Sequence, residues 1–180
     1  MRRRDLLAGI ASVGALGGAG LLATGTAPAM LGGSDVEPVD PVTIETIEAP
    51  GSRDGEVTIP APDRTTFVDF FGTWCPPCIE QMPALGEASD RVGENVLFVS
   101  VTTEAVGRSV TEGEVADWWR EHDGDWLVGA DPTAELASKL DVGGYPTAVV
   151  IDDTGRVRWS DSGVHTADAL VERIESARNR

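Results

Sequence analysis

The only two cysteines of this 180-residue chain, Cys75 and Cys78, stand in Trp74-Cys75-Pro76-Pro77-Cys78, where the hydrophobic pattern changes period. Before them, Thr66-Phe67-Val68-Asp69-Phe70-Phe71 reads as a buried strand. After them, Ile79, Met82, Leu85, Ala88 and Val92 fall on one helical face. The pair is thus confined to a strand-to-helix junction. A Cys-x-x-Cys there can cycle between dithiol and disulfide, one sulfur attacking and the other resolving the mixed disulfide. A structural zinc site normally needs four ligands in paired spacing. This chain has no second Cys pair, and its two histidines, His122 and His165, lie far apart in sequence. Redox chemistry is therefore expected rather than a metal site, and the histidines are read as surface or packing residues.

The rest of the chain alternates strands and helices. Val42–Ile47 alternates as a half-buried strand, and Val57–Ile59 is placed to return as its hairpin partner across the Pro50–Gly55 turn residues. Pro83 interrupts the helix after Cys78 and is expected to kink it. Val96–Val101 is a continuous apolar run, hence a strand buried on both faces. Thr111-Glu112-Gly113-Glu114 is a capping box opening a helix with Val115, Trp118, Trp119 and His122 on one face. Adjacent tryptophans should not both point inward, so one is expected in the core and the other partly at the surface. Trp126 and Trp159 are read as core, with Trp126–Val128 a short strand. Asp131-Pro132 predicts an N-cap followed by Pro at the first helical position. Thr147–Ile151 is another buried strand, Asp152–Gly155 turns into Arg156–Trp159, and Thr166 caps a last helix. The order β–(β)–β–α–β–α–β–α–β–β–α predicts an α/β fold with a mixed central sheet.

Ahead of this domain, residues 1–31 read as an export signal or membrane anchor, and 32–41 as an exposed linker. Arg2-Arg3-Arg4-Asp5-Leu6-Leu7 opens an uncharged stretch from 6 to 34, rich in Ala, Leu and Gly. Arg3-Arg4-x-Leu6-Leu7 resembles the twin-arginine export signal. Ala27-Pro28-Ala29 offers a small-x-small cleavage site; uncleaved, the stretch is long enough to span a bilayer. The expected location is extracytoplasmic, secreted or anchored, where disulfides persist. Lys and Arg total 14 against 30 Asp and Glu, a net charge of −16, with Lys139 the single lysine. Such a surface excludes nucleic acid as partner, because phosphate binding needs a basic face. It also fits a high-salt source, where screening shortens self-repulsion.

Asp69 six residues before Cys75, Pro83 five after Cys78, and Gly144-Tyr145-Pro146-Thr147 leading into a strand complete a specific motif set. Together with the Trp-Cys-Pro-Pro-Cys run they resemble the thioredoxin superfamily. The helix around 111–122 resembles the insert of its exported TlpA/ResA-type thiol–disulfide oxidoreductases, as does Val149–Arg156. The resemblance covers roughly residues 42–178. It implies a thioredoxin-like fold with a mixed sheet flanked by helices, an N-terminal β-hairpin extension (domain 42–180) and a helical insert.

The residues and the resemblance together assign roles. Cys75, at the helix start, is the attacking thiol, favoured as thiolate by the helix dipole and free N–H groups. Cys78, one turn further in, resolves. Pro76 and Pro77 each remove an N–H from that turn, so the thiol is expected to be only moderately acidified and the pair more reducing than a strong oxidant. Asp69 sits under the pair, its pKa raised by desolvation, and takes the Cys78 proton. Thioredoxins often place a lysine near this aspartate; Phe98-Val99-Ser100-Val101 has none, which leaves water or another acid, with Glu80 a possible acid/base. Pro146 is cis by resemblance, though the residues alone leave trans open. Trp74, Pro76, Pro77, Tyr145 and Pro146 would form the substrate-docking surface, with Trp74 covering the disulfide. The expected function is an extracytoplasmic reductase of protein disulfides, with cytochrome c maturation suggested by the family. Its electrons come from a membrane thiol donor and it needs no cofactor. A disulfide-introducing oxidant and a non-enzymatic binding or chaperone module remain as alternatives.

Overall fold

The computed structural model describes residues 37–179; the stretch read as an export signal or anchor and half of the expected linker lie outside them. The elements are β1 (Val42–Thr46), β2 (Gly55–Ile59), β3 (Thr66–Phe71), α1 (Pro76–Val92), β4 (Leu97–Thr102), α2 (Glu112–Glu121), β5 (Leu127–Ala130), α3 (Glu135–Lys139), β6 (Thr147–Ile151), β7 (Val157–Ser162) and α4 (Ala167–Arg178). This is the order predicted from the sequence. The strands form one sheet, β2-β1-β5-β4-β3-β6-β7. β3, β4 and β5 are parallel, while β1, β2, β6 and β7 pair antiparallel. The expected hairpin is β1–β2, attached to the sheet through β1 on β5.

Strands β3, β4 and β6 are buried along their whole length, as continuous apolar runs between two covering layers must be. Alternation sorts their side chains. Phe67, Phe71 and Phe98 join α1, α2 and α4 in one cluster, whereas Val68, Phe70, Val99 and Val101 join α3 and the hairpin in the other. The helix α1 runs on through Pro83, burying Met82, Leu85, Ala88 and Val92 as its spacing predicts.

Four expectations need correction. Trp118 and Trp119 are both buried: Trp118 stacks on Phe71 at 5.0 Å, and the Trp119 ring lies against the bare backbone of Gly124, where a Cβ would approach it to 2.3 Å. Trp159 is only half-buried, because β7 is the sheet's edge; its ring carries Arg173 at 5.9 Å. Pro132 does not open α3. Asp131 still caps that helix, but from across a turn, its carboxylate accepting from the Glu135 and Ala137 N–H groups at 2.9 and 3.0 Å. The end of the expected linker joins the domain, since the Val39 N–H donates to the Gly155 carbonyl at 2.8 Å.

The predicted capping box is present: Thr111 Oγ1 accepts from the Glu114 N–H at 3.1 Å and Glu114 Oε2 from the Thr111 N–H at 2.8 Å. Thr111→Ala is expected to destabilise the protein by about 1 kcal/mol, read as a lowered urea midpoint at unchanged slope.

The hairpin also supports the interior. Gly51 takes a φ of +69° in its turn, and a Cβ there would lie 2.0 Å from the Asp125 carbonyl carbon. The neighbouring Pro50 carbonyl accepts from Trp119 Nε1 at 3.1 Å. Trp119 in turn packs edge-on against Trp126 at 4.7 Å.

Candidate active site

The sheet brings the sequence-predicted site residues to one end. β3 hands over to α1 through Gly72-Thr73-Trp74-Cys75. β6 runs antiparallel to β3, so its first residue, Thr147, pairs with Phe70. That register delivers Tyr145-Pro146 to the same end of the sheet as the cysteines. The Tyr145–Pro146 peptide is cis, as the resemblance implies; Ile59–Pro60 is also cis, which the sequence did not signal.

Cys75 and Cys78 are joined as a disulfide, with Cα atoms 5.3 Å apart. Cys75 is the N-cap of α1, and Pro76 and Pro77 occupy the first two helical positions. With neither proline supplying an N–H, Cys78 N–H is the backbone donor that reaches Cys75 Sγ, at 3.3 Å. Each cysteine is only 2% exposed in this state. Position therefore distinguishes them more than burial does: Cys75 lies where the loop meets the helix, Cys78 a turn inside. Trp74 is 67% exposed, with its ring edge-on to Tyr145 at 6.0 Å. It is a surface side chain beside the pair. Ile79, expected on the apolar face of α1, is instead exposed in the first turn, at Trp74's end of the helix.

Asp69 is buried in the middle of β3 and shares the sheet face of Phe67 and Phe71, which pack with Cys75, Cys78 and Met82. It pairs with Ser100 on β4 and Ala148 on β6. Burial pushes its carboxyl up to about 7, against the opposing pull of the Ser100 hydroxyl, which donates to Oδ2 at 3.1 Å. Its other oxygen, Oδ1, is buried without a hydrogen-bond partner. Among the described residues, Glu80 makes no hydrogen bond to this carboxyl. It is exposed on α1, because its place in the helical repeat falls on the solvent side of the Cys78–Met82 face.

Several residues that organise the site escaped the sequence reading. Glu104, just after β4, accepts from the Thr73 N–H at 2.7 Å, from Thr73 Oγ1 at 2.9 Å and from Thr102 Oγ1 at 3.2 Å. The adjacent Thr103 hydroxyl is hydrogen-bonded to the Tyr145 hydroxyl. One short segment thus holds both the loop before Cys75 and the loop before Pro146. Gln81, buried on α1, exchanges two hydrogen bonds with the backbone of His165, tying the β7–α4 loop to the helix. A polar residue among the apolar positions of α1 was the available signal for Gln81. Among the described residues no three metal-ligating side chains gather in one place.

The fold and the paired sulfurs at its helix N-terminus define a protein of the thioredoxin-like class. The Redoxin family model matches residues 47–177, and the chain belongs to that family. It is similar to a "Thiol-disulfide oxidoreductase ResA" of Bacillus cereus, 30% identical over 107 residues that cover 59% of this chain and 60% of that protein. The chain spans 60–62% of the length of the first curated relatives it matches. Among solved structures it resembles StoA from Bacillus subtilis (TM-score 0.63, 23% identity, covering 75% of this chain and 96% of that one). It also resembles the pneumococcal exposed lipoprotein thioredoxin Etrx1 from Streptococcus pneumoniae (TM-score 0.61, 20% identity, 73% and 98%). At these identities the structures speak for the fold alone.

Proposed function

We propose that this chain is an extracytoplasmic thiol–disulfide oxidoreductase working as a reductase. The observation that carries the reading is the Cys75–Cys78 disulfide at the start of α1, set beside Tyr145-Pro146. The curated relative's printed name, thiol–disulfide oxidoreductase, agrees with the oxidoreductase part of this reading.

In the reduced protein the Cys75 thiolate attacks one sulfur of a substrate disulfide. An S–S bond forms to Cys75, the substrate S–S bond breaks, and the first substrate thiolate leaves. The Cys78 thiol then loses its proton to Asp69 and attacks Cys75 Sγ. The Cys75–Cys78 bond forms, the mixed disulfide breaks, and the second substrate thiolate departs and takes up a proton. Two electrons have moved from the pair to the substrate. The sulfurs carry them, so no cofactor is invoked, and a membrane thiol donor restores the dithiol. Trp74, Pro76, Pro77, Tyr145 and Pro146 receive the substrate, whose backbone would lie along the segment before Pro146 as an added strand. The family resemblance supplies apocytochrome c cysteines as one substrate class. The twin-arginine-like segment is the proposed route of export, with its cleavage separating a secreted from an anchored form.

The midpoint potential of the pair tests the direction. Equilibration against thiol buffers in high salt is expected to give a value near the thioredoxin range, about −270 mV. A value near about −120 mV would make the protein an oxidant. A pair that never equilibrates would leave a structural disulfide and a binding role.

A further inference from the structure

The buried carboxyl of Asp69 lies at the end of a chain of donors. Trp126 Nε1 reaches Ser100 Oγ at 3.0 Å, and Ser100 Oγ reaches Asp69 Oδ2 at 3.1 Å. An indole N–H only donates, so it occupies a lone pair of the Ser100 oxygen. A serine hydroxyl has one hydrogen, and the acceptor that hydrogen meets here is Asp69 Oδ2. Were Oδ2 itself protonated, it would accept the Ser100 hydrogen more weakly than a carboxylate oxygen does. Oδ1 has no partner at all. The two oxygens of one carboxyl are therefore unequal.

We propose that Ser100 and Trp126 are positioning residues for the Asp69 carboxyl: they hold Oδ2 as a permanent acceptor and reserve Oδ1 to take up and return the Cys78 proton. This rests on the reading of Asp69 as the base in mixed-disulfide resolution. When Cys78 attacks, its S–H proton passes to Oδ1, its sulfur bonds to Cys75 Sγ, and the substrate thiolate leaves. Throughout, the Ser100 hydrogen stays on Oδ2. The arrangement assigns to a neutral hydroxyl the place next to the aspartate that a basic residue could occupy. No neighbouring charge acts on Asp69. α1 brings Cys75 and Cys78 into the cluster of Phe67 and Phe71 on the same sheet face, β4 brings Ser100, β6 brings Ala148, and the segment before β5 brings Trp126. Burial and the Ser100 hydrogen bond are the influences acting on the carboxyl.

The test follows the reduced protein reacting with 5,5′-dithiobis(2-nitrobenzoate) across pH. The first release of coloured thiolate reports Cys75, and the second reports resolution by Cys78. Ser100→Ala removes the hydrogen bond that favours the carboxylate, so the midpoint of the second phase is expected to move up by about one pH unit. With the parent midpoint near the Asp69 value of about 7, the second phase slows about five-fold at pH 7. The first phase stays unchanged. Ser100→Thr, which keeps the hydroxyl, restores the parent profile. Trp126→Phe keeps a ring and removes the N–H, and is expected to shift the midpoint in the same direction by less. In an Asp69→Asn background, Ser100→Ala is expected to have no further effect. An unmoved midpoint in Ser100→Ala, with Asp69→Asn still suppressing the second phase, overturns this proposal and leaves the Asp69 role standing. A second phase indifferent to Asp69→Asn overturns both. An equal shift with and without Asp69 reduces Ser100 to a packing residue and also overturns it.

Discussion

A Cys78→Ser variant, reduced and offered a protein disulfide, is expected to end as a stable one-to-one mixed disulfide through Cys75, with multiple turnover reduced by roughly three orders of magnitude or more. The reason is positional. Cys75 caps α1 beside the exposed Trp74 and carries the Cys78 N–H on its sulfur. Cys78 sits a turn deeper, with its backbone inside the helix and its side chain in the apolar cluster. Serine at 78 leaves the attacking sulfur intact and removes the one that releases substrate. Cys75→Ser should lose turnover just as fully and trap nothing. Mass spectrometry of the non-reduced mixtures distinguishes the two. Trapping by Cys75→Ser instead of Cys78→Ser would reverse the assigned roles. A Cys75→Ser protein that keeps its full biological effect would show that binding, not exchange, is the function.

The order of elements was legible because each signal was local. Thr66–Phe71 and Thr147–Ile151 are apolar runs of strand length, Thr111-Glu112-Gly113-Glu114 is a cap in four residues, and the cysteines sit where the period changes. Asp69 was singled out mostly through the resemblance, as an acid six residues before Cys75 in an apolar strand, with a structural pair or a solvent-facing carboxylate as the other readings. What surrounds Asp69 was not. Ser100 is one of many serines, and it becomes a partner through the Asp69↔Ser100 register of two parallel strands joined by a whole helix. Trp126 read as core and is core, but its N–H finds Ser100 only once β4 and β5 lie side by side. Glu80 looked eligible by closeness in sequence, and helical phase puts it on the exposed side of α1. Glu104 carried no signal in the sequence, yet it holds the loop of Thr73. The adjacent tryptophans failed as a local argument because room for the second ring comes from Gly124 and the Pro50 carbonyl, neither of which belongs to α2.

The buried carboxyl also predicts a cost to stability, and the sign can be worked out. Asp69 ordinarily titrates at 3.8, and in the folded disulfide form burial raises it to about 7. Between these two values the folded protein holds a proton that the unfolded chain has released, so raising the pH favours unfolding. Below about pH 4 both states are protonated and this group has no effect. Above about pH 7 the folded protein bears a buried charge, and a shift of this size costs about 4 kcal/mol, a large share of a typical domain's stability. Asp69→Asn removes the titration. The difference in unfolding free energy, mutant minus parent, is therefore expected to be near zero at pH 4. It should grow through pH 6 and level off at about 4 kcal/mol in the mutant's favour at pH 8. Denaturant unfolding of the oxidised proteins at those pH values measures it, and the other carboxylates cancel in the difference. A difference that does not change with pH would mean that Asp69 titrates normally, which would remove the case for it as a base near neutrality. If the expected curve is found while the same substitution slows resolution of the mixed disulfide, the carboxyl weakens the fold where it serves the chemistry. Packing alone would favour a neutral side chain between Phe67 and Phe71, so that pair of results would account for an ionisable one there by the proton it moves.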